Sequence, residues 1–243
     1  MTGLIPRHLP TYLEQESLLT SLQKAARHTQ DGLLLDIGCG SCPYVSLFPA
    51  ATRYVGIDLP SKLTAYQQPA IWASGLRLPF AAKTFATVLC TQVLEHVPQP
   101  MLLLRESFRV LRVGGILILA APQTWGLHEE PRDYYRFTKY GLQYLLESVA
   151  FEVQWIEARG GVFRMIGQTF LSFLYIRNQI SGATPWLKRL TTMLNTFFVY
   201  LDRRWRWEKD TLGYTALAIR PERQVVDVGD GHSLNVGSAA RDS

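Results

Sequence analysis

Two glycines and two acids at fixed spacing carry the first chemical signal. Leu34-Leu35-Asp36-Ile37-Gly38-Cys39-Gly40 joins an apolar run to a Gly-x-Gly turn, and Tyr54-Val55-Gly56-Ile57-Asp58 ends in an acid eighteen residues after Gly40. The glycines permit a tight turn and let a ligand approach the backbone closely. A carboxylate at that offset suits bidentate hydrogen bonding to ribose hydroxyls. Together they point to a cofactor carrying a nucleoside. A dinucleotide would want a third glycine at position 43, so that a helix could sit close beneath a pyrophosphate, and Pro43 stands there instead.

A second cluster lies further on. Between Pro122 and Thr138 the chain brings together His128, Glu129, Glu130, Arg132, Asp133, Tyr134, Tyr135 and Arg136. One loop with that many titratable and aromatic groups can hold and deprotonate a substrate. The plainer reading is that Asp133 and Arg136 form a loop-ordering ion pair and that Thr138 caps a helix. Glu95 and His96 also have two readings. Glu95 suits the start of a helix, where the dipole favours an acid, and His96 is more often packed or capping than a base.

The elements that must position these groups follow from pattern. Leu13, Leu18, Leu19, Leu22 and Ala25 recur at helical spacing within 11–29, and Asp31-Gly32 breaks that helix. Short apolar strands are expected over 32–37, 54–58, 70–73, 85–90, 116–120, 152–158 and 213–219, with helices over 98–111 and 138–149 and a turn at Gly114-Gly115. Strands alternating with helices imply an α/β fold, a parallel sheet covered on both faces. Such a sheet binds its ligand beyond the carboxyl ends of its strands, where both clusters fall.

The chain has 243 residues, 47% of them hydrophobic, enough for one substantial core. We divide it into an N-terminal helical segment over 1–30, one α/β domain over 31–221 and a disordered polar tail over 222–243. Cys39, Cys42 and Cys90 are an odd, low count that suits a reducing compartment. Cys39 and Cys42 form one CxxC with no second pair and no histidine at ligand spacing, so no metal site is read from it. No secretory pattern is read at the start, and the longest apolar approach to a membrane span, 170–176, is too short.

Five ordered blocks resemble the class I methyltransferases, specifically the methyltransferase type 11 subgroup related to the ubiquinone and menaquinone enzymes. They are Leu34 to Gly40, Gly56-Ile57-Asp58, Leu78-Pro79-Phe80, Val93-Leu94-Glu95-His96-Val97 and Leu111-Arg112-Val113-Gly114-Gly115. The resemblance implies a doubly wound, seven-stranded, mostly parallel Rossmann-like sheet and S-adenosyl-L-methionine as cofactor. It implies that the Gly38, Cys39 and Gly40 backbone meets the methionine part, that Asp36 orients its amino group and that Asp58 holds the ribose. Thr91 and Gln92 would line the sulfonium side. Where the family usually places an acid for the adenine amine, this chain has Ser74, and backbone groups at Gly75 and Leu76 would help read the ring. Ala86 replaces a second usual acid. His128 to Thr138 is similar to a block found in many bacterial methyltransferases of this subgroup, some encoded with cell-surface glycan genes.

Methyl transfer from a sulfonium is an in-line displacement, whose main demand is alignment. An oxygen nucleophile also needs a proton acceptor. His128 is the first candidate and Asp133 the second, with Tyr135 and Arg136 holding the acceptor. The expected acceptor is a small molecule, a glycan or a lipid-linked compound, methylated on oxygen or carbon.

In the family's fold the last two strands are joined by a short hairpin, so residues 159–211 read as an inserted, helical segment leaving the sheet on the cofactor edge and covering the site. It carries nine arginines and lysines beside Trp186, Trp205 and Trp207. Two readings stand. The segment is an amphipathic lid or homodimer surface, or it lies in a membrane interface and attracts anionic lipid. The expected location is cytoplasmic, with the second reading adding the inner face of the membrane. A different class of function, a non-catalytic methyltransferase-like scaffold docking through 159–211, is the alternative. Nucleic acid is not an expected partner, since no RNA-binding module accompanies the basic segment.

Overall fold

The computed structural model describes residues 5–50, 52–60, 69, 71–177 and 184–222. Seven strands form one sheet: β1 (Leu33–Ile37), β2 (Arg53–Asp58), β3 (Ile71–Trp72), β4 (Phe85–Thr91), β5 (Leu111–Pro122), β6 (Glu152–Ala158) and β7 (Gly213–Ile219). Their order is β3-β2-β1-β4-β5-β7-β6, and β7 runs antiparallel to both β5 and β6. This is the Rossmann-like methyltransferase sheet. The chain reverses direction between β1 and β4 in this order, so a crevice opens at the carboxyl ends of β1, β2 and β4.

Helices cover both faces. On one, α2 (Pro100–Val110) and α3 (Lys139–Glu147) pack Leu103, Leu104, Leu142 and Leu146 against Leu35, Ile37, Val88, Leu117 and Leu119. Pro100 pre-sets the first turn of α2. The Thr138 hydroxyl accepts the Gly141 N–H at 3.0 Å, so the cap of α3 is the one its sequence position suggests. On the other face, α1 (Tyr12–Ala26) lays Leu18, Leu22 and Ala25 over Leu34, Leu89, Ile118 and Leu217.

β5 is longer than its apolar pattern predicts. The Gly114-Gly115 pair lies inside the strand, where Gly114 takes φ +73° and its N–H donates to Arg220 O at 2.8 Å. The register against β4 shifts nearby, between Phe85 and Thr87. The glycines therefore kink the strand without ending it, as at a β-bulge.

The segment between β6 and β7 folds as two helices, α4 (Val162–Arg177) and α5 (Pro185–Arg204). They pack on α1, where Tyr12, Leu13, Leu171 and Val199 form a small third core. Helix α5 is inverted. It buries Thr191, Asn195, Val199 and Asp202 and exposes Trp186, Leu190, Met193, Phe197 and Tyr200. The inward polar groups are held. Asn195 Nδ2 donates to Arg7 O (2.7 Å) and Leu9 O (3.0 Å), Thr191 shares a 2.7 Å bond with Tyr175, and Asp202 accepts the Gly161 N–H at 3.0 Å. Among the described residues, no helix is long and apolar enough to cross a membrane. The expected tail lies outside the described residues after Glu222.

Candidate active site

The turn after β1 is set by glycine. Gly38 takes φ +70° and Gly40 φ +50°. A Cβ on Gly38 would also fall 2.3 Å from Val93 Cγ2. Gly38 and Cys39 both donate their N–H to Ile57 O (2.9 and 3.0 Å), which staples the turn to β2. Asp58 completes the staple. Its Oδ2 accepts the Gly40 N–H at 2.8 Å and its Oδ1 the Leu59 N–H at 2.6 Å. Each oxygen keeps a second lone pair for a ligand.

A cavity of about 320 Å³ opens beside this turn, lined by Gly38 and Asp58, by the run from Ala73 to Leu76, and by Val93, His96, Arg132 and Tyr134. Of the residues the sequence singles out for the cofactor, the cavity brings together Gly38, Asp58, Ser74, Gly75 and Leu76. Ser74 Oγ already accepts the Leu76 N–H at 3.2 Å, which leaves its own O–H free to donate.

Asp36, Cys39, Gly40, Thr91 and Gln92 lie outside that lining. Cys39 is buried under β2, within van der Waals reach of Gly56. Asp36 is also buried. Tyr54 donates its hydroxyl to Asp36 Oδ2, and Oδ1 has no partner. Burial pushes its carboxyl up to about 7, with the Tyr54 bond opposing. Thr91 is buried at the end of β4. Gln92, at φ +54°, joins a buried network. Its Nε2 donates to Glu14 Oε1 (3.3 Å), and its Oε1 accepts from Arg159 Nη2 (3.2 Å).

The loop from Gln123 to Phe137 is ordered by one arginine. Arg136 Nη1 and Nη2 donate to the two oxygens of Asp133 (2.7 and 2.8 Å). Its remaining donors reach Trp125 O, Gly126 O and Tyr135 O. All five guanidinium N–H groups are thereby used within the loop. Asp133 also accepts the His128 N–H at 3.1 Å, and the Arg136 guanidinium holds its carboxyl far below the usual range. Tyr135 O–H donates to Pro98 O at 3.2 Å.

His128 meets His96, which the sequence reading left as a packing residue. Their Nε2 atoms are 3.1 Å apart with ring planes at 77°. Beneath them lies Glu95, fully buried, with neither carboxylate oxygen partnered. Burial pushes this carboxyl up to about 8.

Comparison with known proteins fits this geometry. Residues 35–119 match the family model described as a methyltransferase domain. Over that stretch the chain is similar to the methyltransferase domains of this family. An uncharacterized methyltransferase of Mycobacterium leprae is 36% identical over 97 residues, covering 36% of this chain and 36% of that protein. One of Mycobacterium marinum is 35% identical over 115 residues, covering 43% and 45%. The matched stretch thus spans less than half the length of these curated relatives. In fold, the methyltransferase domain and its additions resemble the cyclase SpnF, with TM-score 0.57, 18% identity, and coverage of 86% of this chain and 82% of that one. They also resemble phosphoethanolamine N-methyltransferase 2 of Haemonchus contortus in complex with S-adenosyl-L-methionine, with TM-score 0.54, 14% identity, and coverage of 86% and 53%.

The methyltransferase family implies S-adenosyl-L-methionine as cofactor, and the residues fit it. Asp58 offers two oxygens at the cavity wall, and the unpartnered Oδ1 of Asp36 is a buried acceptor suited to an ammonium. Sequence reasoning missed Glu14 and the partnership of His96 with His128, and it named Arg132 and Tyr134 in the charged loop without giving either a role of its own. Glu14 left a trace as an acid one position from the apolar stripe of α1.

The inserted helices contribute nothing to the cavity lining and instead fix α1. Arg159 is fully buried and pairs with Glu14 at 2.6 Å, while Arg164 pairs with Glu16 and Asp202. Two of the segment's nine basic groups are therefore neutralised inside.

Proposed function

We propose that this protein is an S-adenosyl-L-methionine-dependent methyltransferase acting on oxygen or carbon of a small-molecule, glycan or lipid-linked acceptor. The observation that carries the reading is one continuous wall running from Asp58 and Ser74 to His96, with His128 behind it. When bound, the cofactor supplies a methyl group on a sulfonium. Asp58 accepts hydrogen bonds from the ribose hydroxyls. Ser74 O–H donates to a ring nitrogen of adenine, with backbone groups at Gly75 and Leu76 beside it. Asp36 receives the methionine ammonium.

The two imidazoles supply the proton acceptor. His96 Nδ1–H is committed to Arg132 O at 2.7 Å. His128 Nδ1–H is committed to Gly126 O at 3.2 Å, beside Asp133 Oδ2 at 3.3 Å. Both Nε2 atoms are then basic, and a proton taken by either is hydrogen-bonded by the other. Asp133 positions His128 and stabilises the resulting positive charge, and Arg136 keeps Asp133 ionised. Tyr134 and Arg132 at the cavity wall hold the acceptor, and Tyr135, outside the lining, is tied to it through its bond to Pro98 O. Calorimetric titration with S-adenosyl-L-methionine tests the donor half. One site per chain at micromolar affinity is expected, and no binding at millimolar cofactor overturns the reading.

The inverted face of α5 favours a membrane-bound or lipid-linked acceptor over a soluble one. Trp186, Leu190, Met193, Phe197 and Tyr200 form one exposed stripe at helical spacing, continued on α4 by Ile166, Phe170 and Phe173. Lys188, Arg189, Arg203 and Arg204 on α5 are exposed as well. A second copy docked face to face would set these like charges against each other, whereas an anionic bilayer complements them. We place the protein at the inner face of the membrane, in a reducing compartment that suits its three free cysteines. Flotation with phosphatidylglycerol vesicles should be lost when Trp186, Phe197 and Tyr200 are all changed to serine. Absence of flotation by the unmodified protein refutes the membrane reading and leaves the donor half standing.

A further inference from the structure

The histidine pair poses an electrostatic problem that a metal ion resolves. Both Nδ1 hydrogens are fixed by acceptors: Arg132 O for His96, and Gly126 O with Asp133 Oδ2 for His128. In the neutral rings both Nε2 atoms therefore carry lone pairs, 3.1 Å apart. They do not meet head on. With ring centroids only 4.6 Å apart and planes at 77°, the two nitrogens converge from the side on a common point. Glu95 belongs to the same point. One of its oxygens lies 3.9 Å from His96 Nε2, and one ligand atom from each of Glu95, His96 and His128 falls within 4.8 Å of the others. Its carboxylate is fully buried without a single hydrogen-bond partner. A buried carboxyl with neither oxygen hydrogen-bonded is costly, and ionising it there requires a cation beside it.

Resting on the methyltransferase reading, we propose that Glu95, His96 and His128 bind a divalent first-row transition ion, of which zinc is the type, at the acceptor end of the cavity. Two nitrogens at roughly 2.0–2.1 Å from one ion subtend about 100° when 3.1 Å apart, within the range of tetrahedral and octahedral sites. Two histidines and one carboxylate are a recurrent donor set that leaves coordination positions open. The surroundings match as well. Metal-bound histidine donates its other ring N–H to a carbonyl or carboxylate, and both rings already do. The open positions take oxygen from the acceptor, so the site selects acceptors with a hydroxyl beside a second oxygen donor, such as a vicinal diol or a hydroxy acid. In the metal-bound form both Nε2 atoms are ligands and no longer accept the proton; the ion acidifies the bound acceptor hydroxyl as a Lewis acid, its proton passes to solvent water, and the resulting alkoxide takes the methyl group.

The test is titration of chelator-treated, full-length protein with cobalt(II), read by visible d–d absorption, and with zinc by calorimetry. The protein carries Cys42→Ser, which removes the paired thiol without touching the buried Cys39 of the cofactor turn. One ion per chain is expected, with affinity weakened at least about 100-fold in His96→Ala and in His128→Ala. Glu95→Gln should weaken it and change the cobalt spectrum. His128→Gln, whose surface position spares the fold, keeps the test valid if His96→Ala does not fold. Asp58→Ala should bind cobalt normally, which separates this site from the donor half: cofactor binding without metal overturns the metal site alone, and metal without cofactor overturns the methyltransferase reading alone. Binding that persists in the His96→Ala, His128→Ala double variant also overturns the metal site.

Discussion

The ends of this cavity that we propose take the methyl donor and the acceptor are built by different means. The donor end is made of backbone. Gly38 and Gly40 adopt left-handed conformations, Ile57 O staples the turn, and Asp58 caps it. Its parts lie within two adjacent parallel strands and the turn between them. The acceptor end is made of side chains. Arg136, Asp133, His128 and His96 form a chain of contacts across two loops, and Glu95 lies beneath it. A site made of backbone is fixed by the fold itself. A site made of ionised side chains depends on each partner being present, and it changes with single substitutions. The two ends should therefore respond separately to mutation.

The largest effect expected at the donor end is from Asp58→Ala. Loss of two charge-assisted hydrogen bonds to ribose should weaken S-adenosyl-L-methionine at least about 100-fold by calorimetry. Asp58→Asn, which still accepts through one oxygen, should fall between. Unchanged affinity in both would mean that the cofactor does not use this strand end. At the acceptor end, Arg136→Ala leaves the Asp133 carboxylate, whose side chain is 1% exposed, without its cation. Stability should drop by about 3–5 kcal/mol in urea melts. Turnover should fall about 100-fold through loss of alignment. Cofactor affinity should stay within about fivefold, a change of order 1 kcal/mol. A parallel loss of cofactor affinity would break the distinction between the two ends.

The smallest effect concerns Asp36, whose carboxyl is pushed up to about 7 by burial. Because the folded value lies above the ordinary one, the folded state binds more protons between them. Stability from the neutral acid is fully present below about pH 4 and is lost as pH rises through about 7. In Asp36→Asn that loss should vanish. The stabilities of the two proteins should then diverge in favour of the variant between about pH 4 and about pH 7, by a few kcal/mol at most. Equal pH slopes would place the Asp36 charge in contact with solvent.

The contrast also explains what was legible in the sequence. The sheet could be read from its apolar runs, because strands buried on both faces have few other compositions. The turn at Gly38 and Gly40 and the position of Asp58 beside it could be read because they depend on local spacing. At Gly114-Gly115 the same logic misled, since a glycine pair at a bulge is indistinguishable from one at a turn until the partner strand is known. His96 was undervalued because its partner, His128, is 32 residues away. The covering role expected of 159–211 failed to account for α1, whose Glu14 and Glu16 draw the inserted helices onto the helix face. The sequence showed an amphipathic helical segment over 159–211 without showing the stripe on α5. Which side faced inward was settled by Asn195 and Asp202, whose partners lie in other elements.

The buried pairing of Arg159 with Glu14 and Arg164 with Glu16 limits how this fold can be recombined. A transplant of the inserted helices between relatives, cut at the ends of β6 and β7, would separate Arg164 from Glu16 and leave a carboxylate stranded in the host. The first helix and the insertion, at opposite ends of the chain, are thus one inheritable part. Any chimera that exchanges one to alter acceptor preference has to carry the other with it.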